Sequence, residues 1–111
     1  MRPLKNLCEV AVIGGGLAGL AAARHAARLG LLVSLFEGSG LFGGLVATID
    51  EVDGIPVPGK FSGQDLAMHL LADARRAGVR VVETAVTKIE LEQDLTLSDQ
   101  KDGMYHPEAI I

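Results

Sequence analysis

Three glycines separate an apolar segment from an alanine-rich one in the order G-x-G-x-x-G, at Gly14, Gly16 and Gly19. In such a loop the first glycine permits the tight turn out of a strand, and the second leaves room for a diphosphate. The third lets the following helix pack closely on the strand, and the start of that helix presents unpaired N–H groups. The arrangement therefore predicts a strand–loop–helix unit that binds phosphate, although a similar loop can also be a simple tight turn.

The flanking sequence predicts an α/β fold in a single domain. Apolar segments of strand length occupy residues 7–13, 31–36 and 79–82. Residues 17–29 are predicted to form a helix that ends at Gly30. A second helix is predicted to begin after Ser62, a candidate N-cap residue, and to end at Gly78.

Both helices carry small or apolar residues at helical spacing, which predicts one buried face on each. The residues expected on the buried face of the first helix are Ala18, Ala22, Ala26 and Leu29. Those expected on the buried face of the second helix are Leu66, Ala67, Leu70, Ala74 and Ala77. Arg24 and Arg28 are expected on the opposite side of the first helix.

The last quarter of the chain has a different pattern. Apolar and polar residues alternate in residues 88–92, 95–98 and 104–106. This alternation predicts a three-stranded antiparallel meander within residues 84–106. Residues 109–111 then begin an apolar strand, from which we expect the 111 residues to be part of a longer protein.

Composition narrows the function classes. A net charge of −4, an isoelectric point near 5.2 and 4% aromatic residues argue against a nucleic-acid surface. No apolar stretch approaches the roughly 18 residues that span a bilayer, and Glu9 interrupts any signal-peptide core, so a cytoplasmic protein is expected. The single cysteine, Cys8, is expected to be buried, and neither a metal site nor a catalytic residue is expected among these residues.

An acidic residue follows the second predicted strand, where it can complete the glycine loop. Glu37 lies 23 residues after Gly14, and a carboxylate near this interval accepts hydrogen bonds from the adenosine ribose of a dinucleotide. The same carboxylate would repel a 2′-phosphate, which argues against NADP at this position. Gly43 and Gly44 would let backbone N–H groups approach a second part of the ligand. NAD binding alone requires neither this glycine pair nor the meander.

The order of these motifs, continued by Phe61-Ser62-Gly63-Gln64-Asp65-Leu66 and Val81-Val82, resembles the thioredoxin reductase-like flavoproteins. These proteins are FAD-dependent pyridine nucleotide-disulfide oxidoreductases. The resemblance extends over nearly the whole chain, to Glu108-Ala109-Ile110-Ile111. It implies a Rossmann-like three-layer FAD-binding domain with a parallel sheet and an antiparallel meander, of which residues 1–111 form a truncated, N-terminal part.

The resemblance also implies the roles of particular residues and partners. The FAD diphosphate would be held by Gly14, Gly15, Gly16, Leu17, Ala18 and Gly19. Glu37 would bind the adenosine ribose, Gly43 and Gly44 would line the cofactor, and the backbone of Val86 would meet the adenine edge. NAD(P)H would donate hydride in the parent protein. The expected partners are FAD, the remaining parts of the FAD and NAD(P)H domains, and a second copy in a homodimer.

Two positions depart from the pattern of that family. Leu45 stands where many members have a polar residue, and Gly54 stands where an asparagine is expected. Two alternatives therefore remain open: a non-catalytic dinucleotide-binding or regulatory module that has lost flavin, and an NAD-dependent dehydrogenase domain. Continued βα units after residue 79 would favour the dehydrogenase. The 111 residues alone are expected to bind FAD weakly or not at all and to be inactive.

Overall fold

A computed structural model describes residues 8–40, 42–43, 62–92 and 94–111. Two helices and seven strands are present in this part of the chain. In chain order they are β1 (Val10–Ile13), α1 (Leu17–Arg28), β2 (Val33–Phe36), α2 (Gly63–Ala77), β3 (Arg80–Val82), β4 (Val86–Glu90), β5 (Thr96–Asp99), β6 (Met104–Tyr105) and β7 (Ala109–Ile110).

Four strands form a parallel sheet in the order β3-β2-β1-β7. Val10 pairs with Val33 of β2 on one side of β1 and with Ala109 of β7 on the other. Because the strands are parallel, their carboxyl ends meet at one edge of the sheet, which is where α/β folds bind ligands. The ends of β1, β2 and β3 therefore lie side by side at this edge.

The parallel sheet is the middle of three layers, as predicted. Both helices pack on one face, where the shared core contains Val10, Val12, Leu20, Ala23, Ala26, Ala27, Val33, Leu35, Leu71, Ala74 and Val79. The opposite face is covered by the antiparallel sheet β4-β5-β6, through a second core of Cys8, Ala11, Phe36, Leu97 and Tyr105. The Phe36 and Tyr105 rings lie edge to face with centroids 4.8 Å apart, which joins the two sheets.

The buried face of α1 differs from the prediction. Leu20, Ala23 and Ala27 are buried beside Ala26, whereas Ala18 is exposed and Leu29 is 67% exposed. The reason is the close contact of Gly19 with the glycine loop, which fixes the rotation of the helix about its axis. Of the four positions predicted to be buried, only Ala26 is buried, and Ala22 is partly buried.

The same rotation moves Arg24 out of its predicted position on the far side of α1. Its guanidinium lies 3.6 Å from the Asp73 carboxylate of α2 and is only partly exposed. Asp73 also pairs with Arg76 at 2.8 Å. An ion-pair network therefore joins the two helices where the sequence suggested a solvent-facing arginine.

The second helix, and the residues at which the parallel strands end, agree with the prediction more closely than the first helix does. Ala67 and Ala74 are buried as expected, but Leu71, 3% exposed, was missed. The second strand begins only at Val33, because Leu31 and Leu32 lie on the surface at 37% and 55% exposure.

Cys8 is buried, as predicted. Within the described part of the chain, neither helix is long and apolar enough to cross a membrane.

Candidate functional site

The glycine loop makes a tight turn that is tied to both neighbouring elements. Gly14 follows β1 with φ +102°, a backbone conformation that side chains disfavour, and its N–H donates to the Phe36 carbonyl at the end of β2 (2.8 Å). A Cβ added to Gly19 would overlap the Gly14 carbonyl oxygen. The first glycine therefore makes the turn, and Gly19 allows the helix to approach the strand.

The middle glycine faces open space. A Cβ built on Gly16 meets no atom of the described structure within 4 Å. Gly16 is the N-cap of α1, where no side chain supplies a capping hydrogen bond and no acidic residue occupies the first turn. The amides of Leu17, Ala18 and Gly19 have no acceptor within the helix by the geometry of a helix start. This end of α1 therefore fits a diphosphate, since it offers N–H groups, a positive dipole end and room.

Glu37 connects this loop to the end of β2. Its Oε1 accepts a hydrogen bond from the Gly15 amide (2.7 Å), although the two residues are far apart in sequence. Its Oε2 accepts from both the amide and the hydroxyl of Ser39, at 2.8 and 2.5 Å. Partial burial by itself would raise the pKa of Glu37, but these three hydrogen bonds together hold that pKa below its usual value. The carboxylate is therefore kept ionised beside the glycine loop.

Gly43, which is predicted to line a cofactor, is brought against the same loop. Its amide donates to the Gly15 carbonyl at 2.7 Å, and it forms an isolated parallel bridge with Gly16. The neighbouring Phe42 ring covers Gly15, where an added Cβ would lie 2.8 Å from a ring carbon. Gly44 and the two departures from the family pattern, Leu45 and Gly54, lie outside the described residues.

Val86 begins β4 and lies close to the same edge of the parallel sheet. The link is Ala85: a Cβ added to Gly38 would lie 2.5 Å from the Ala85 Cβ. Gly38 directly follows Glu37, so the backbone leading to Val86 passes beside the carboxylate-bearing turn. The side chain of Val86 is partly buried against the second core. The predicted adenine contact of its backbone stays a prediction.

Sequence reasoning missed three residues that shape this site: Ser39, Phe42 and Ala85. A hydroxyl two residues after an acidic side chain is a recognisable local signal, because Ser readily hydrogen-bonds nearby backbone and carboxylate groups. Phe42 and Ala85 gave no such signal, since their contacts depend on long-range packing. Within the described ranges, no three His, Cys, Asp or Glu side chains are grouped to hold a metal ion.

These features define a nucleotide-binding α/β domain. The glycine turn, the uncapped helix start and the acidic residue after the second strand occupy one edge of a parallel sheet. The sequence model of the family described as "FAD dependent oxidoreductase" matches residues 9–108. The chain therefore belongs to the FAD-dependent oxidoreductase family.

Individual relatives agree with this assignment. The chain is 36% identical to "Ferredoxin--NADP reductase 1" of Latilactobacillus sakei subsp. sakei, over 100% of this chain and 35% of that protein. It is 29% identical to thioredoxin reductase of Streptomyces clavuligerus, over 97% of this chain and 34% of that protein. The chain thus spans about a third of the length of these curated relatives.

Solved structures show the same architecture. Thioredoxin reductase from Streptococcus pyogenes superposes with a TM-score of 0.84 at 28% identity, covering 95% of this chain and 34% of that one. Thioredoxin reductase from Gloeobacter violaceus, at 23% identity, has a TM-score of 0.83 over 95% of this chain and 35% of its own, a likeness of fold. Together with the curated relatives, these structures confirm the resemblance to thioredoxin reductase-like flavoproteins.

Proposed function

We propose that residues 1–111 form the N-terminal part of the FAD-binding domain of an NAD(P)H oxidoreductase and bind the adenosine diphosphate half of FAD. The observation that carries this proposal is the hydrogen bond from the Gly15 amide to Glu37 (2.7 Å). It places the loop suited to a diphosphate beside the carboxylate suited to a ribose. The diphosphate and the adenosine ribose are adjacent in FAD, so neighbouring sites for these two groups would match the cofactor.

Each site residue has a proposed part in binding. The residues proposed to hold the diphosphate are Gly14, Gly15, Gly16, Leu17, Ala18 and Gly19. Glu37 accepts hydrogen bonds from the ribose, Gly43 and Gly44 line the cofactor, and the Val86 backbone meets the adenine. The Gly43–Gly15 hydrogen bond supports this arrangement because it keeps the second glycine segment beside the first.

In this proposal the cofactor and the protein have separate tasks. A bound flavin would supply the redox chemistry, hydride acceptance from NAD(P)H and electron transfer to an acceptor, and the protein would supply placement and electrostatics. The residues of this chain bind and orient the adenosine end, and none of them is proposed as catalytic. The name of the Latilactobacillus relative includes NADP, which supports a nicotinamide donor. A homodimer and a cytoplasmic location remain part of the proposal.

The antiparallel meander favours this function over an NAD-dependent dehydrogenase. After β3 the chain continues as β4, β5 and β6, which pair antiparallel to one another, rather than as further βα units. The non-catalytic alternative differs from the proposed function in its flavin content. The visible absorption spectrum of the protein therefore distinguishes the proposed function from the non-catalytic alternative.

The test is the visible absorption spectrum of the full-length protein, as purified and after incubation with FAD. We expect flavin bands, and we expect Glu37→Gln to weaken FAD retention by about 10- to 100-fold, because the ribose loses hydrogen bonds to a charged group. Glu92→Gln, the same change at an exposed position of the meander, is the matched control and is expected to retain FAD normally. A colourless protein that FAD cannot reconstitute would contradict the proposal.

A further inference from the structure

The groove between α1 and α2 carries more positive charge than its own carboxylate can neutralise. Arg24 of α1 and Arg76 of α2 both pair with Asp73, at 3.6 and 2.8 Å. Arg28, one turn after Arg24, lies beside Asp73 and Arg76 but makes no ion pair within the described residues. Three guanidinium groups therefore share one carboxylate, in a chain whose net charge is −4.

These side chains border a pocket of a size for a small anion. Arg28, Asp73, Arg76 and Ala77 line a pocket of about 250 Å³. Pockets for drug-sized ligands are roughly 300–1,000 Å³, so this one suits a single anionic group with a small substituent. Arg24 adjoins the pocket through its contact with Asp73.

The hydrogen-bond donors of this groove outnumber its acceptors. A guanidinium carries five N–H donors, whereas a carboxylate accepts about four hydrogen bonds. His69 also contacts Asp73, with its Nε2 at 3.5 Å, so three side chains already share that carboxylate. Arg24 Nε is buried, and no hydrogen-bond partner for it lies in the described part of the chain. A buried donor without an acceptor is costly, so the cluster is short of acceptors.

The helix dipoles explain only part of this cluster. Basic residues in the last turn of a helix offset the negative end of its dipole, and Arg28, Arg75 and Arg76 lie in such turns. Arg24 lies before the last turn of α1 and reaches Asp73 across the groove. Arg28 and Arg76 line the pocket, whereas Arg75 does not. Arg75 therefore shows what a basic residue does at a helix end without the pocket.

We propose that this groove binds the phosphate group of a small anion, either free phosphate or a phosphate monoester. A phosphate group carries close to two negative charges at neutral pH and several strong acceptor oxygens, which match the two excess positive charges and the excess donors. Arg28 and Arg76 donate to these oxygens, because planar guanidinium groups bind phosphate with paired hydrogen bonds.

This ligand is distinct from the cofactor. The groove lies toward the C-terminal end of α1, whose 12 residues rise about 18 Å from the glycine loop. A diphosphate held at the start of α1 therefore does not occupy the groove. The inference goes beyond the proposed function and does not depend on it.

The experiment is nitrogen–proton correlation NMR of the full-length protein as purified, titrated at constant ionic strength with inorganic phosphate and, separately, with glycerol 3-phosphate. We expect saturable shifts of the amide signals of residues 24–28 and 73–77. Because the signals are resolved by residue, binding in the groove is separated from binding at the glycine loop. Tighter binding of glycerol 3-phosphate would identify a monoester as the ligand, and tighter binding of inorganic phosphate would identify free phosphate.

Arg28→Gln is expected to weaken phosphate binding in the groove about 10-fold, because one charged donor is lost. Arg75→Gln is the matched control: it removes the same charge from a helix end outside the pocket, and its phosphate affinity should equal that of the wild type. Both variants lose a similar interaction with a helix dipole, so their comparison isolates the pocket.

Three results would overturn the inference. The first is the absence of saturable shifts at residues 24–28 and 73–77. The second is phosphate binding that is equally strong, or equally weakened, in Arg28→Gln and Arg75→Gln. The third is acetate saturating the same residues as tightly as phosphate, since the groove would then recognise a carboxylate. Each of these results leaves the proposed FAD site unaffected, because that site is tested by the flavin spectrum.

Discussion

The two helices of this protein begin in opposite ways. The start of α2 is completed by its own side chains: Ser62 accepts from the Asp65 amide (3.1 Å), and Asp65 accepts from the Ser62 amide (3.3 Å). The start of α1 has a glycine N-cap, no side-chain cap and no acid in its first turn. A helix start whose own first turn has neither a side-chain cap nor an acidic residue is available to an anion, whereas a capping box fills the same positions.

This difference separates a structural helix start from one that is proposed to bind a ligand. Both helices pack their inner faces into the same core, so packing does not distinguish them. Their first turns do, since Asp65 would repel a phosphate that Gly16 and the residues after it can accommodate. The comparison predicts that changes at the start of α1 affect ligand binding and that changes at the start of α2 affect stability.

The largest expected effect is at Gly19, which belongs to α1 but has a packing role. In Gly19→Ala the new methyl group must displace the Gly14 carbonyl, so we expect the free energy of unfolding to fall by about 3 kcal/mol. Urea denaturation, read as a lower midpoint with an unchanged slope, measures this loss. An unchanged midpoint would show that the close helix–strand contact does not exist in solution.

Gly16→Ala is the complementary change, three residues earlier. The methyl group meets no atom of the described residues within 4 Å, so the free energy of unfolding is expected to change by only about 0.5 kcal/mol. ADP affinity should fall at least about tenfold, because the methyl group occupies the space of the diphosphate. Calorimetric titration of the flavin-free protein measures this change. Unaltered ADP binding would contradict the proposal that Gly16 leaves room for a ligand while Gly19 serves helix packing.

At the other helix start, Ser62→Ala removes the capping hydroxyl. We expect a loss of about 1 kcal/mol in the free energy of unfolding and no change in ADP affinity. Ser62→Asp, which retains a capping oxygen, should recover most of this stability. A change in ADP affinity with either variant would mean that the two helix starts do not have separate roles.

The smallest effect concerns the ionisation of Glu37. Its pKa is lower in the folded protein than in the unfolded chain, so the charged form adds stability above the ordinary glutamate pKa of about 4.3. That contribution is lost as the pH falls through the lower, folded pKa. The stability difference between the wild type and Glu37→Gln should therefore shrink with acidification. Denaturation at several pH values measures this difference, and a gap that widens toward acid would contradict the assignment.

The sequence predicted the parts of the molecule that depend on local chemistry. Ser62 and Asp65 indicate a helix start, and Gly14 and Gly16 indicate a tight turn between strand and helix that is suited to phosphate, because each acts through its own backbone or its nearest neighbours. The antiparallel meander followed from the change in apolar period along the chain, and the three-layer arrangement was implied by the resemblance to the flavoprotein family. Glu37 was identified by its position after the second predicted strand and by its distance from the loop.

The features that sequence reasoning missed depend on contacts between distant segments. The rotation of α1 is set by the contact between Gly19 and Gly14, and it carries Arg24 toward Asp73 on α2. No periodicity within a single helix contains that information. The hydrogen bonds of Ser39 to Glu37 are local, whereas the hydrogen bond from the Gly15 amide to the same carboxylate joins two distant segments and had no local signal.

The most direct test of the central claim is nitrogen–proton correlation NMR of the flavin-free full-length protein during titration with ADP. The two helix starts are compared within one molecule, without any substitution. We predict that the amide signals of residues 14–19, together with those of Glu37 and Ser39, shift with ADP, while those of residues 62–66 remain in place. Shifts at residues 62–66 without shifts at residues 14–19, or no shifts at saturating ADP, would contradict the claim that α1 begins at a phosphate-binding site.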